Sequence, residues 1–239
     1  MNSALQGDIL VAAANLASDS STPLHVVGSR CATGDGREFR YVKMGAVAGV
    51  PGKLYQAPAE VTNHQDLTPV AAAIGDTTVT VALGATAATA NQYAGGLLVV
   101  TVTPGQGYAY KIKSHPAAAL STNLVVTLAE PIVVALTTSS RCDLVSNPFN
   151  NVIVNPTTAT SAPVGVCVTA ITAAQYGWLQ TKGECALLAD GAVTVGTALV
   201  ASNAVAGAVE PLAGVQAAVG LALTGIADTQ YGGVLLNLV

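Results

Sequence analysis

Seven residues spaced through positions 164–179 recur, in the same order and spacing, 55 positions later. Val164-Gly165…Thr169…Ile171…Gln175-Tyr176-Gly177 returns as Val219-Gly220…Thr224…Ile226…Gln230-Tyr231-Gly232, so seven of sixteen aligned positions are identical. Each copy is an apolar stretch, a short turn, then Gln-Tyr-Gly opening a second apolar stretch. Valine and isoleucine are stiff at χ1 and suit a pleated strand. Glycine permits the turn's backbone angles, and tyrosine can bury its ring beside it. The pattern therefore predicts one strand–turn–strand unit used twice, as when a small barrel is assembled from hairpins. Both copies are expected in one C-terminal barrel, with Tyr176 and Tyr231 in like surroundings. Two copies are too few for a solenoid. A weaker echo, Gln92-Tyr93-Ala94-Gly95, precedes the apolar run 97–100.

The rest of the chain reads the same way. Half of its 239 residues are hydrophobic (51%), which is the reverse of a disordered composition. Val, Ala and Leu interleave with Thr, and 24 glycines and 11 prolines punctuate them. The expected class is all-β, with antiparallel barrel or sandwich sections, short turns and little helix. Strands are expected at 77–83, 97–102, 108–113, 124–128 and 132–136, with turn chemistry between them at Thr103-Pro104-Gly105-Gln106-Gly107 and Ser114-His115-Pro116. Tyr108, Tyr110 and Ile112 alternate with Ala109, Lys111 and Lys113, as in a half-buried antiparallel strand. Residues 85–90 allow at most a helical turn.

Three sections follow from these signals. Residues 1–57 hold an N-terminal arm and a charged β-hairpin, 58–150 a β-rich middle domain, and 151–239 a strap followed by the C-terminal barrel. The strap is crowded with Asn, Pro and Thr, and Val152-Ile153-Val154 can add a short strand.

Several functional classes are disfavoured. The apolar stretch 204–223 carries Glu210 and Pro211 at its centre and has no basic flank, unlike a spanning helix. Residues 1–16 include Asp8 and lack the basic start of a secretory signal. Aromatics at 4% are too few for the girdles of an outer-membrane barrel. Cys31, Cys142, Cys167 and Cys185 are widely separated, without a CxxC pair, and are expected as free thiols. A net charge of −4 without a basic patch argues against nucleic-acid binding. The three histidines, His25, His64 and His115, stand in unrelated contexts, and no HExxH, GxSxG or GxxxxGK[ST] pattern occurs. Asn63-His64-Gln65-Asp66 offers two potential metal ligands, but a turn supplies such a pair often by chance. No catalytic, cofactor or metal residues are assigned, and no cofactor is expected.

Charge is scarce, at 9% of residues, and it clusters. Arg30, Asp35, Arg37, Glu38, Arg40 and Lys43 are six of the chain's 22 formal charges. Asp35-Gly36 makes a tight turn, after which Phe39 and Tyr41 fall on one face and Glu38, Arg40 and Val42 on the other. Two readings stand side by side. One is a solvated edge strand whose charges discourage unwanted pairing. The other is an electrostatic contact through Arg30, Arg37, Glu38, Arg40 and Lys43.

Phrases along the chain carry a resemblance. Gly36-Arg37-Glu38-Phe39-Arg40-Tyr41-Val42-Lys43 with Pro51-Gly52-Lys53-Leu54 resembles the openings of tailed-phage virion structural proteins. Tyr108-Ala109-Tyr110-Lys111-Ile112-Lys113-Ser114, Leu128-Ala129-Glu130-Pro131-Ile132, Gln175-Tyr176-Gly177-Trp178-Leu179-Gln180-Thr181-Lys182-Gly183 and Leu188-Ala189-Asp190-Gly191 look like later parts of the same group. The resemblance implies a head decoration, or cement, protein. Such a protein is a non-enzymatic β-rich trimer on the outer capsid surface, seated where major capsid subunits meet. It implies major capsid protein and self as partners, and neither nucleic acid nor membrane. The rivals are a tail or fibre protein that binds a host surface and, from another class, a hydrolase on a β-scaffold.

Overall fold

In the computed structural model, which describes residues 16–214 and 216–238, the protein is all-β, with one 3₁₀ turn at Thr62–His64. In chain order the strands are β1 (Arg30–Ala32), β2 (Glu38–Met44), β3 (Leu54–Gln56), β4 (Thr78–Ala82), β5 (Leu97–Val102), β6 (Ala109–Ser114), β7 (Asn123–Leu128), β8 (Arg141–Val145), β9 (Asn150–Val154), β10 (Pro163–Cys167), β11 (Tyr176–Leu188), β12 (Ala198–Ala201), β13 (Val209–Pro211), β14 (Gly220–Ala222) and β15 (Tyr231–Asn237). The chain divides into two units, Met1–Pro58 with Pro148–Val239, and Ala59–Asn147. The second unit lies inside the stretch 58–150. The two flanking sections, read as separate, fold together because strands from both pair in one sheet. Residues 1–15, most of the expected N-terminal arm, lie outside the described residues.

The first unit consists of two five-stranded barrels built on one shared strand. In the first, β2 pairs with β11, β11 with β10, β10 with β3, β3 with β9, and β9 runs parallel to β2, closing the ring. In the second, β11 pairs with β15, β15 with β14, β14 with β12 and β12 with β13. A parallel bridge from Val209 to Ala189, just past β11, closes it. The thirteen residues of β11 make this possible: Tyr176–Gln180 face the first ring and Lys182–Leu188 the second. Each ring has a core, and Leu54 of β3 and Val166 of β10 point out of the first ring to join that of the second. Val42, Met44, Tyr55, Ile171 and Leu179 fill the first. Leu187, Leu199, Val209, Ile226 and Val234 fill the second.

The backbone hydrogen bonds of the two rings follow one pattern, with a one-residue slip at Gly45, which matches Ala189 as acceptor and Asp190 as donor. Gly52 N–H donates to the Cys167 carbonyl at 2.7 Å, and Gly196 N–H to that of Ala222 at 2.8 Å. Gly49 and Ile171 exchange a bond pair, as do Val193 and Ile226. Ala174 and Thr229 both adopt left-handed φ, 60° and 63°, and donate to the carbonyls of Gly45 and Ala189. Gly45 N–H reaches the Val152 carbonyl at 2.9 Å, and Asp190 N–H that of Val209 at 2.8 Å. The recurring sequence is therefore the visible part of a duplicated module. Strands β2, β3, β9, β10 and the start of β11 form one copy. The end of β11 with β12, β13, β14 and β15 forms the other. Each copy lies in its own barrel, which corrects the expectation of a single one.

This explains two identities in the repeat. Ile171 and Ile226 open the turn and fold over Gly177 and Gly232. A Cβ there would lie 2.8 Å from Ile171 Cδ1 or 2.3 Å from Ile226 Cγ1, so the isoleucine needs the glycine. Likewise a Cβ on Gly165 would lie 2.6 Å from Leu179 Cβ, and one on Gly220 2.5 Å from the Leu235 carbonyl.

The second unit occupies, along the chain, the place that the short loop 202–208 fills in the second copy: between β3 and β9 in one, between β12 and β13 in the other. Its strands run β4-β7-β6-β5-β8. Leu67 bridges Cys142 beside β8, and Pro69 bridges Val81 in β4, which closes a barrel around Leu98, Tyr110, Ile112, Leu124 and Leu136. It uses the same paired turns twice more. Gly75 N–H donates to the Ile132 carbonyl and Ala72 bridges Leu136. Ser121 N–H donates to the Gly84 carbonyl and Ala88 bridges Ala118, with Asn91 left-handed at 57°. The second of these sets ends in Gln92-Tyr93, so the weak echo has a structural basis.

Four of the five strands expected in this unit form, within a residue or two. The fifth, 132–136, is instead one arm of a paired turn, since its hydrogen bonds go to Ala72 and Asp76 rather than along a ladder. Tyr110 and Ile112 point inward as the alternation requires, whereas Tyr108 precedes β6 and is half exposed, stacked 6.3 Å from Tyr110.

Candidate interaction surface

The charged segment is a hairpin, with Cys31 opposite Phe39 and Ala32 opposite Glu38. The sheet edge is β1; β2 lies inside the sheet, against β1, β9 and β11. Alternation along β2 sends Val42 and Met44 into the first barrel and Phe39 and Tyr41 to its outer face.

The five basic and acidic residues singled out from sequence lie on this hairpin, and each meets a partner. Arg30 grips Glu38 with two bonds, Nη2 to Oε1 at 2.8 Å and Nε to Oε2 at 3.1 Å. Lys182 adds a third contact to Glu38 at 3.8 Å. Arg37 pairs with Asp35 at 2.8 Å at the hairpin tip. Arg40 donates to the Gly28 carbonyl at 3.1 Å and lies over the Phe149 ring, and Lys43 lies over Tyr176. The hydrogen bond from Arg30 holds the Glu38 carboxyl below its ordinary range, with Lys182 and Arg40 adding to the effect. Asp35 is drawn down to about 2, first by the Thr33 hydroxyl and then by Arg37. The hairpin is thus a clasp of mutually satisfied charges, whose exposed pairs water screens. A partner contacting it meets fixed, oriented charge, not loose side chains.

A strap, residues 16–29, crosses the outer face of the first barrel. Ser20 exchanges bonds with Tyr176 at 3.0 and 2.9 Å, and the Asp19 carboxylate accepts from Thr172 N–H at 2.7 Å. Leu24 N–H donates to the Tyr41 hydroxyl, and Gly28 N–H to the Tyr41 carbonyl. Leu16 of the strap joins Cys31, Phe39, Tyr41 and Trp178 beneath it in a small buried cluster, and the His25 ring packs edge-on to Tyr41 at 5.1 Å. Sequence alternation placed Phe39 and Tyr41 on one face but carried no sign of what covers them.

Among the described residues no segment covers the same face of the second barrel. Leu221 of β14 pairs directly with Leu235 of β15, and both are exposed, as are Leu223 and Tyr231. At its upper end a groove of about 810 Å³ opens against the hairpin tip, with Leu221 and Leu235 as apolar floor and Arg37, Lys182 and Glu184 on the rim.

His64 and His115 are hydrogen-bonded inside the second unit, and Cys31, Cys142 and Cys167 are buried. His64 is fully buried, one ring nitrogen on the Tyr93 hydroxyl and the other 2.9 Å from the Thr86 carbonyl. His115 Nε2 accepts the Tyr93 N–H at 3.0 Å while Nδ1 donates to the Pro116 carbonyl. The His64 and His115 rings are thereby both engaged within the second unit. Among the described residues no three His, Cys, Asp or Glu side chains gather as a metal site. All four cysteines are unpaired, and burial pushes the Cys142, Cys167 and Cys185 thiols up to about 12. Among the described residues no helix is long and apolar enough to cross a membrane.

No family model, no curated protein and no solved structure matches the chain.

Proposed function

We propose that this chain is a head decoration protein of a tailed phage, which binds major capsid subunits on the outer surface of the shell and stabilises it by bridging them. The observation that carries the reading is a surface built to be covered. Only 9% of residues are charged, while Val47, Ile74, Leu120, Val133 and Val195 stand exposed at turns of rigid barrels. Large apolar side chains left in water on a charge-poor surface suit burial against a partner. Rigid closed barrels suit bridging, because a stiff body engaged at several weak sites binds tightly overall. The charged hairpin, with Arg30, Arg37, Glu38, Arg40 and Lys43, supplies register at one such contact.

Co-sedimentation with undecorated heads tests the proposal. Binding should saturate at a fixed ratio, and the heads should then resist disruption by chelation or heat. Reversal of Arg37 and Arg40 to Glu should weaken attachment and change its salt dependence, because like charges would replace complementary ones. A chain that never sediments with heads, at any salt concentration, would remove the capsid from consideration. Sedimentation with tails or host envelopes instead would favour the fibre reading.

A further inference from the structure

The duplicated module allows a comparison that the chain makes with itself. In the first copy the outer face carries Phe39, Tyr41 and Trp178, and the strap buries all three; Trp178 is 2% exposed. By the pairing of β2 and β15 with β11, the corresponding places in the second copy are Glu184, Ala186 and Gly233. Here Ala186 and Gly233 carry almost no side chain, and beside them Leu221 at 47% and Leu235 at 41% exposure line, with Glu184, the groove next to the hairpin tip. No segment of the described chain covers it. The strap, meanwhile, shows its own unused apolar side. His25 faces the aromatic cluster, and the residues on either side of it, Leu24 and Val26, are 67% and 69% exposed.

We propose that the bare face of the second barrel is an interface for a second copy of this chain, and that its occupant is that copy's strap, seated by Leu24 and Val26. Three observations converge on this occupant. The first copy of the module accepts an extended strap at the positions of Glu184, Ala186 and Gly233, which Leu221 and Leu235 flank. The strap carries two large apolar side chains that its own chain leaves in water. The groove rim is mixed in sign, Asp35 and Glu184 against Arg37 and Lys182, so it repels neither charge, as suits a partner as charge-poor as this chain. The donor and acceptor patches differ, so the contact is heterologous, and a heterologous contact that closes makes a ring, such as the trimer expected from sequence. This assignment stands independently of what the assembled ring then binds.

Light scattering of the purified chain is the first measurement, and a closed oligomer is expected. Two double variants then divide the contact. Leu221→Glu with Leu235→Glu spoils the acceptor, and Leu24→Glu with Val26→Glu spoils the donor. All four positions are exposed, and unchanged circular dichroism together with unshifted Trp178 emission will report that the barrels and strap are intact. Each variant alone should be a 23.7 kDa monomer. Mixed together, they retain one good donor and one good acceptor, and should form a dimer of twice that mass that grows no further. A monomeric parent chain, variants that assemble as the parent does, or a mixture that stays monomeric would each overturn the proposal. Head binding, assayed separately, can fail without touching these masses.

Discussion

Trp178 and Gly233 occupy the same place in two copies of one module. The first lies beneath a strap and the second faces water. Everything local is shared: the paired turns, the left-handed residue before Gln-Tyr-Gly, the isoleucine folded over its glycine and the parallel closing strand. What differs is the outer face, and it differs because one copy follows an N-terminal segment that can cover it. Barrel closure depends on the turns and tolerates exchange of the outer residues. The outer face answers only to whatever lies on it. The second unit extends the lesson, since it keeps the paired turns while sharing almost no residues with the modules beyond Gln-Tyr.

The largest expected effect comes from substituting the two equivalent positions. Trp178→Ala empties the cluster under the strap and should cost about 3–5 kcal/mol, as for a buried aromatic. Gly233→Ala should change stability by less than about 1 kcal/mol, because its new Cβ would meet Thr224 Cγ2 at an ordinary 3.7 Å. Urea denaturation followed by circular dichroism measures both. Equal costs would mean that the strap contributes little and that the two faces are energetically alike.

The next comparison asks for equality. Ile171→Ala and Ile226→Ala each remove the side chain that closes a turn, and both isoleucines are nearly fully buried. Each should cost about 2–5 kcal/mol, and the two should agree within roughly 1 kcal/mol. If one is silent, the shared hydrogen-bond pattern does not reflect shared energetics.

A smaller effect separates the units by pH. Burial raises the Cys167 and Cys185 thiols in the first unit, and that of Cys142 in the second, from 9.0 to about 12. A folded-state value above the unfolded one means that this contribution is complete below pH 9 and lost as pH rises towards 12. The first unit, with two such groups, should lose stability over that window more steeply than the second. Replacing Cys167 and Cys185 with Ala should flatten its alkaline limb; an unchanged slope would assign the loss to other groups. A thiol reagent should find Cys31, Cys142 and Cys167 slow in the native protein, and all four reactive after denaturation.

Much of this was legible in the residues, and the reason is physical. Val/Thr runs broken by Gly and Pro encode strands locally, so the all-β class and most strand positions follow from short-range chemistry. The 55-residue echo was visible because Ile171/Gly177 and Ile226/Gly232 must change together. The remaining correspondence was hidden: β2 aligns with the end of β11, and β3 with β12, but their residues meet different surroundings, so Tyr41, under the strap, stands where exposed Ala186 does. Merging of the flanking sections also escaped notice, because β2 pairs with β11 across more than 130 intervening positions and no local signal reports that. The charged hairpin was found as a cluster. Its internal pairing was not, since the Arg30–Glu38 and Lys182–Glu38 contacts depend on strand register. The bare face was missed because Leu221 and Leu235 look like any strand leucines until burial is known.

The smallest effect tests whether the hairpin charges serve the fold or a partner. Glu38 is held below its usual carboxyl range, chiefly by the Arg30 hydrogen bond. A depressed folded-state value means that this stabilisation is present above the unfolded value near 4.5 and lost as pH falls through the folded one. The side chain is about one-quarter exposed, so water screens the pair and its contribution is held to about 0–1 kcal/mol. The second module has Gly183 and Glu184 at the corresponding stretch and no such grip, yet its barrel closes equally well, so closure does not require the clasp. Glu38→Gln at neutral pH should therefore lower stability by less than about 1 kcal/mol and remove part of the acid limb. Raised salt should erase a similar amount in the parent chain. A loss several times larger would make Arg30, Glu38 and Lys182 a structural device. A small loss accompanied by failed assembly or failed head binding would leave their orientation as a feature kept for a partner.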